Sequence, residues 1–283
     1  MADIRQIDRR RKSVKSIAKI TRAMEMIAAS KMRKAQERGL AGRPYSEKIT
    51  EVIASLAALY PKGQAHPLLQ VRLVKKIAII HITPNRGMAG GLVGNINRKS
   101  LSFERSEGKD TTYIAIGKKG IDALRRTGRN IKAEFILGEN PSYLETLPIA
   151  RLAIDGFING EFDEVYLAYS KFINTMMQEP VIIKLLPEEP AQRAQGANLE
   201  YIYEPSASGV LDKILPRYVE SRIYQTILES IACEFSARMI AMKSATENAN
   251  EIVEELALQY NKARQESITT EMLDIIGGAS ALS

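Results

Sequence analysis

The chain has 283 residues, 45% of them hydrophobic and 26% charged, with a net charge of +7. That is the make-up of an ordinary globular protein with one large domain or two modest ones. A single cysteine, Cys233, excludes an internal disulfide framework or dithiol switch, and two histidines far apart in sequence, His66 and His81, argue against a zinc site. No run of eighteen apolar residues occurs, and Met1 to Arg11 is charged and lacks an apolar stretch, so neither a membrane span nor a secretory signal is expected.

The charge is unevenly placed. Residues 1–38 hold twelve Lys or Arg against four acids, an excess of eight, which is more than the excess of the whole chain. A basic arm of this kind calls for an acidic partner: nucleic acid, an anionic membrane or an acidic protein surface.

Residues 3–38 read as one helix, with no Gly or Pro before Gly39. Its apolar positions fall into two heptad frames. Ile4, Ile7, Val14, Ala18, Ala28, Met32 and Ala35 mark one, and Ile17, Ile20, Met24 and Ile27 mark a second beside it. Two apolar edges suit a helix that touches more than one neighbour, and they equally suit one broad core stripe. Gly39, Gly42 and Pro44 predict a kink or local unwinding near residue 42. Helical spacing resumes at Ile49, Val52, Ile53, Leu56 and Leu59, and Pro61, Gly63 and Pro67 end it.

Residues 70–187 change texture. Strands are expected over 75–83, 112–117, 131–137, 164–170 and 181–186, with helices over 92–101, 118–126 and 149–158 between them. The alternation predicts an α/β layer domain with a largely parallel sheet. Residues 187–200 read as a surface loop, and Tyr201 to Pro205 as the lead into a last helix.

In that last helix Leu228, Ala232, Phe235, Met239, Met242, Thr246, Ala249, Val253, Leu256, Tyr260 and Ala263 repeat at alternating steps of four and three. No Gly or Pro interrupts residues 217–276. A 3.5-residue repeat of this length specifies a left-handed coiled coil, and sixty such residues span ~90 Å. The helix needs a partner, and the N-terminal helix is the only comparable one. The expected fold is therefore α/β: a long antiparallel coiled coil of N- and C-terminal helices with an inserted Rossmann-like α/β domain. The expected divisions are 1–60, 70–200 and 206–283.

No catalytic constellation is legible. His81, inside a strand, reads as core, and Cys233, beside the helical stripe, reads as a small buried hydrophobe. The turn from Asn85 to Gly94 follows a strand and opens a helix, the right place for a phosphate loop. It matches neither Gly-x-Gly-x-x-Gly nor a Gly-Lys-Ser/Thr loop, and so reads as a structural turn. The C-terminal run from Asn261 to Glu271 is polar, and Ile268, Met272, Ile275 and Ile276 form a short apolar face after it. From the residues alone, this is either a fraying solvated end or a polar collar followed by an apolar tip.

Four segments resemble a known family. Residues 268–281, ITTEMLDIIGGASA, are similar to the C-terminal signature of the gamma subunit of rotary ATP synthases. Residues 19–32, KITRAMEMIAASKM, resemble its N-terminal helix. Tyr203-Glu204-Pro205 with Arg217 to Ser221 resembles the entry to its second helix, and Arg238 to Thr246 the middle of that helix. The resemblance runs the whole chain in order. It implies a non-catalytic rotor shaft without cofactor or metal, with alpha, beta and epsilon subunits and the membrane c-ring as partners. It places the complex on the cytoplasmic face of the cell membrane, with no direct membrane insertion by this chain. It casts Met24, with Lys19 and Arg22, toward the beta subunits, together with a collar of Arg264, Gln265, Thr269 and Glu271. It puts Tyr203 and Glu204 near the c-ring. Bacterial members commonly carry a Cys where this chain has Ala89, and chloroplast members carry an inserted dithiol segment that is absent here, which leaves thiol regulation unsupported. Two other readings remain. One is a basic coiled coil that binds nucleic acid through residues 1–38, although no aromatic residue precedes Tyr45. The other is a nucleotide-binding α/β enzyme, which rests on the Gly-rich turn alone.

Overall fold

The computed structural model describes residues 2–59, 66–188 and 206–281. Ten elements of regular structure follow one another. They are α1 (Ala2–Leu59), β1 (Lys76–Ile82), α2 (Leu92–Glu107), β2 (Asp110–Ile116), α3 (Lys118–Arg126), β3 (Ile131–Phe135), α4 (Tyr143–Ile158), β4 (Glu164–Phe172), β5 (Gln178–Leu186) and α5 (Ala207–Ala281). A short 3₁₀ turn, Pro67–Leu69, precedes β1. Two compact units result: Ser30–Ala237, and Met1–Ala29 with Arg238–Ser283.

In the first of these units the strands lie in the order β3-β2-β1-β4-β5. β1 pairs in parallel with β2 and β4, and β2 with β3. β5 returns antiparallel to β4. The central strand β1 is apolar on both faces, as a strand covered on both sides requires, and is buried from Ile77 onward, whereas the edge strand β3 exposes Lys132 and Glu134. Ala78, Ile80 and Ile82 join one core with Ile149, Ala153 and Phe157 of α4 and with Leu211, Leu215, Val219, Ile223 and Ile227 of α5. Ile77 and Ile79, pointing the opposite way, join Tyr113, Ile121 and Leu124.

The expected strands and helices occur close to where the pattern placed them, with three differences, the first being that α2 runs on to Glu107, past the expected end at 101. α4 begins at Tyr143, ahead of the apolar run at Ile149, because Ser142 and Glu145 form a capping box that supplies the first free amides. α1 does not unwind near residue 42 but stays helical through Gly39, Gly42 and Pro44. A proline removes a single ladder hydrogen bond. The burial of Ile49 and Ile53 in the core shared with α5 outweighs a propensity loss of about 3 kcal/mol for Pro and about 1 for each Gly. At Gly42 a Cβ would lie 1.7 Å from the Gln225 amide nitrogen of α5, so the glycine lets that side chain cross the α1 backbone. The loop expected over 187–200 and the lead over 201–205 lie, from residue 189 on, outside the described residues.

In the second unit α1 and α5 run antiparallel. The Arg11 guanidinium stacks 5.0 Å from the Tyr260 ring centre, and the Thr21 and Thr246 hydroxyls meet at 2.7 Å. Of the eleven stripe residues of α5, Thr246 is the polar one. It is buried, and its partner on α1 is buried as well. Thr246 also donates to the Met242 carbonyl, or Thr21 to that of Ala18, so a satisfied hydroxyl pair sits within an otherwise apolar seam. Such a pair fixes axial register, because a slipped helix would bury unpaired hydroxyls.

Candidate functional site

An open α/β sheet of this order has one natural ligand crevice. It lies at the carboxyl ends of β1 and β4, where the crossover direction reverses. Here α5 fills that place. The Cys233 thiol donates to the Ser170 carbonyl at 3.1 Å, and the Phe172 amide donates to Glu229 at 3.0 Å. Ala89, Leu92 and Ile96 pack on Cys233. Burial pushes the thiol's pKa up, so the sulfur stays protonated and inert, as a small core residue.

The Gly-rich turn serves this packing. Met88 and Gly90 adopt left-handed backbone angles, which tuck Ala89 inward. The Asn85 amide donates to the Leu137 carbonyl at 2.6 Å, and its oxygen accepts from the Lys118 amide at 3.2 Å. Gly117 closes the neighbouring turn with φ +91°, where a Cβ would lie 1.9 Å from the Thr83 carbonyl oxygen. The turn is structural.

His81 is fully buried between Ser100 at 2.9 Å and Asn97 at 2.8 Å, and desolvation lowers its pKa to about 4. It is a neutral core histidine. His66 caps the 3₁₀ turn by accepting from the Leu68 amide at 3.1 Å. Among the described residues no three His, Cys, Asp or Glu side chains are grouped to hold a metal ion.

The surface of the second unit is of another kind. The two frames on α1 separate. Ala18 and Ala28 of the first are buried, whereas Ile17, Ile20 and Ile27 of the second are exposed, at 49%, 59% and 55%. Met26, outside both frames, is exposed as well, and Met24 is half-buried. Lys19 and Arg22 are exposed beside this edge. On α5 no described residue from Arg264 to Gly277 is buried. Arg264, Gln265, Thr269 and Glu271 are all exposed. Thr269 donates to the Gln265 carbonyl at 2.9 Å, and Ser267 to Glu271 at 3.5 Å. Beyond them Ile268, Met272, Leu273, Ile275 and Ile276 turn apolar surface to solvent. Large apolar side chains left bare on both helices mark surface built for contact with other chains. Tyr203 and Glu204 lie outside the described residues. Sequence reasoning missed Met26, which no heptad frame includes, and Leu273.

Long terminal helices with apolar flanks, and an α/β body whose ligand crevice is stopped by its own helix, are features of a mechanical or scaffolding subunit. The ATP synthase family model matches residues 3–282. The chain is 60% identical to the ATP synthase gamma chain of Dehalococcoides mccartyi and 46% identical to that of Herpetosiphon aurantiacus, covering all of this chain and all of each relative. Among solved structures it resembles a chain of the Tetrahymena thermophila mitochondrial ATP synthase central stalk and c-ring, with TM-score 0.62 and 25% identity over 80% of this chain and 99% of that one. A chain of the Euglena gracilis mitochondrial ATP synthase shares the fold, with TM-score 0.69 and 17% identity over 99% of this chain and 95% of that one. The chain belongs to the ATP synthase gamma chain family, the non-catalytic stalk subunits of that enzyme. Nothing in these likenesses favours the nucleic-acid reading.

Proposed function

We propose that this chain is the central rotor shaft of an ATP synthase, turning inside the alpha-beta hexamer and standing, with epsilon, on the c-ring. The observation that carries the reading is the bare apolar edge of α1 opposite its buried seam. A helix pair that needed only itself would leave no such edge. A shaft inside a pseudo-threefold sleeve meets unequal faces, and coupling works by differential contact with discrete states of the partner.

In this reading Met24 faces the beta subunits, with Lys19 and Arg22 meeting acidic loops. Arg264, Gln265, Thr269 and Glu271 form a hydrogen-bonding collar, and the apolar end from Ile268 to Ile276 enters a socket above it. Tyr203 and Glu204 rest near the c-ring. Residues 1–60 and 206–283 are the shaft and 70–200 the inserted body. The complex stands on the cytoplasmic face of the cell membrane. Among the described residues no helix is long and apolar enough to cross a membrane, which accords with a peripheral place.

The experiment is Met24→Lys in the assembled enzyme, with ATP hydrolysis and ion pumping measured together. A third cation beside Lys19 and Arg22 should lower the ions pumped per ATP hydrolysed more than it lowers hydrolysis. An unchanged ratio would count against the placement of this edge on the beta subunits.

A further inference from the structure

A cleft of about 490 Å³ opens where α1 and α5 meet the end of β4. Its walls are Ala35, Gly39 and Leu40 from α1 and Leu228 and Ala232 from α5, and Phe172 lines it too. These are apolar, and half of them are small. Such a volume suits a small organic molecule. One charged side chain lines it, that of Glu229. Its Oε1 accepts from the Phe172 amide at 3.0 Å, which anchors the carboxylate at the cleft. The Tyr169 hydroxyl hydrogen-bonds to this carboxylate too, no cation pairs with it among the described residues, and Gln36 and Gln225 are the other polar groups of the lining. Gly39 contributes open space, since a Cβ there would meet nothing within 4 Å.

We infer that this cleft binds a small amphipathic cation, an alkyl or aryl ammonium. Its apolar part would lie against Leu40, Phe172, Leu228 and Ala232, and its nitrogen on Glu229. The charge decides the class. An anion would face the carboxylate, and a neutral apolar molecule would leave Glu229 without its counter-charge in a partly desolvated place. The site is separate from the partner-contact residues proposed above and does not depend on them.

The test is calorimetric titration of the full-length chain with octylamine, which is protonated at neutral pH. Octanol and octanoate carry the same tail on a neutral and an anionic head. Octylamine should bind one site and the other two should bind at least about tenfold more weakly, the range expected for a hydrogen bond to a charged group. Glu229→Gln keeps an acceptor for the Phe172 amide and removes the charge. It should weaken octylamine about tenfold and leave octanol unchanged. Gly39→Leu fills the cleft from a helical position with room for a side chain and should abolish binding while leaving the melting temperature at or above that of the parent chain. The inference is overturned if octanol binds as well as octylamine, if neither substitution changes octylamine binding, or if the parent chain takes up no octylamine.

Discussion

The two ends of α5 live in different surroundings. From Leu211 to Cys233 the helix is buried on several sides. Leu215, Val219, Ile223 and Ile227 lie in the core under the sheet, and Cys233 closes the ligand crevice. From Arg238 onward the buried positions are Arg238, Met242, Thr246, Ala249 and Leu256, and past Ala263 no described residue is buried. The stripe therefore reports only the α1-facing side. What the other sides do is written in residues off the stripe, such as Leu215, Val219 and Ile223 against the body and Met272 and Ile275 at the far end.

The largest contrast should appear on truncation of matched apolar residues. Ile223→Ala should destabilise the chain by about 2–5 kcal/mol, since the residue is fully buried and its cavity cannot collapse. Leu258→Ala, 72% exposed, should cost less than about 0.5 kcal/mol. Urea denaturation of the two variants checks this. Equal losses would mean the two ends are equally packed.

Acid should separate the regions next. His81 in the body is held neutral, with a pKa of about 4 against an ordinary 6.5. Its contribution is fully present above pH 6.5 and is lost as pH falls from there toward 4, because the unfolded chain takes up a proton that the fold refuses. Between pH 7.5 and pH 5 the body should lose about 2 kcal/mol from this group. The same denaturation series in His81→Asn should lack that component.

A smaller effect is expected in the seam. Thr246→Val should cost about 1 kcal/mol by leaving Thr21 without its buried partner, and adding Thr21→Val should restore much of it. A double variant as unstable as the sum of the singles would show that the two hydroxyls do not act as a pair. The smallest effect is none at all. Reductant should not change the hydrolysis rate of the assembled enzyme through this subunit, as its one thiol is buried and protonated, and a reductant-dependent rate traced to this subunit would contradict that.

Much of this was legible in the sequence because periodicity reports burial directly. Ile77 to Ile82 announced a strand covered on both faces, and the steps of four and three from Leu228 to Ala263 announced the seam. Two apolar frames on α1 announced two faces, but periodicity alone could not say which would stay bare. Ala18 and Ala28 allow the close approach that α5 takes up, and the bulkier Ile17, Ile20 and Ile27 are left outside. What stayed hidden depends on contacts far apart in sequence. No local pattern pairs Thr21 with Thr246, 225 residues away, or Glu229 with the Phe172 amide, and the helicity of residues 39–44 was decided by α5. The capping box at Ser142 and Glu145 was readable and would have placed the start of α4.

The central claim is that this chain is a shaft. Its most direct test is ATP hydrolysis by purified alpha and beta subunits with and without the chain. A shaft should assemble at one copy per alpha-beta hexamer and raise turnover, and that gain should be lost as residues 268–283 are removed. A chain that neither joins the hexamer nor changes turnover, and that binds DNA or RNA with steep salt dependence through residues 1–38, would contradict it.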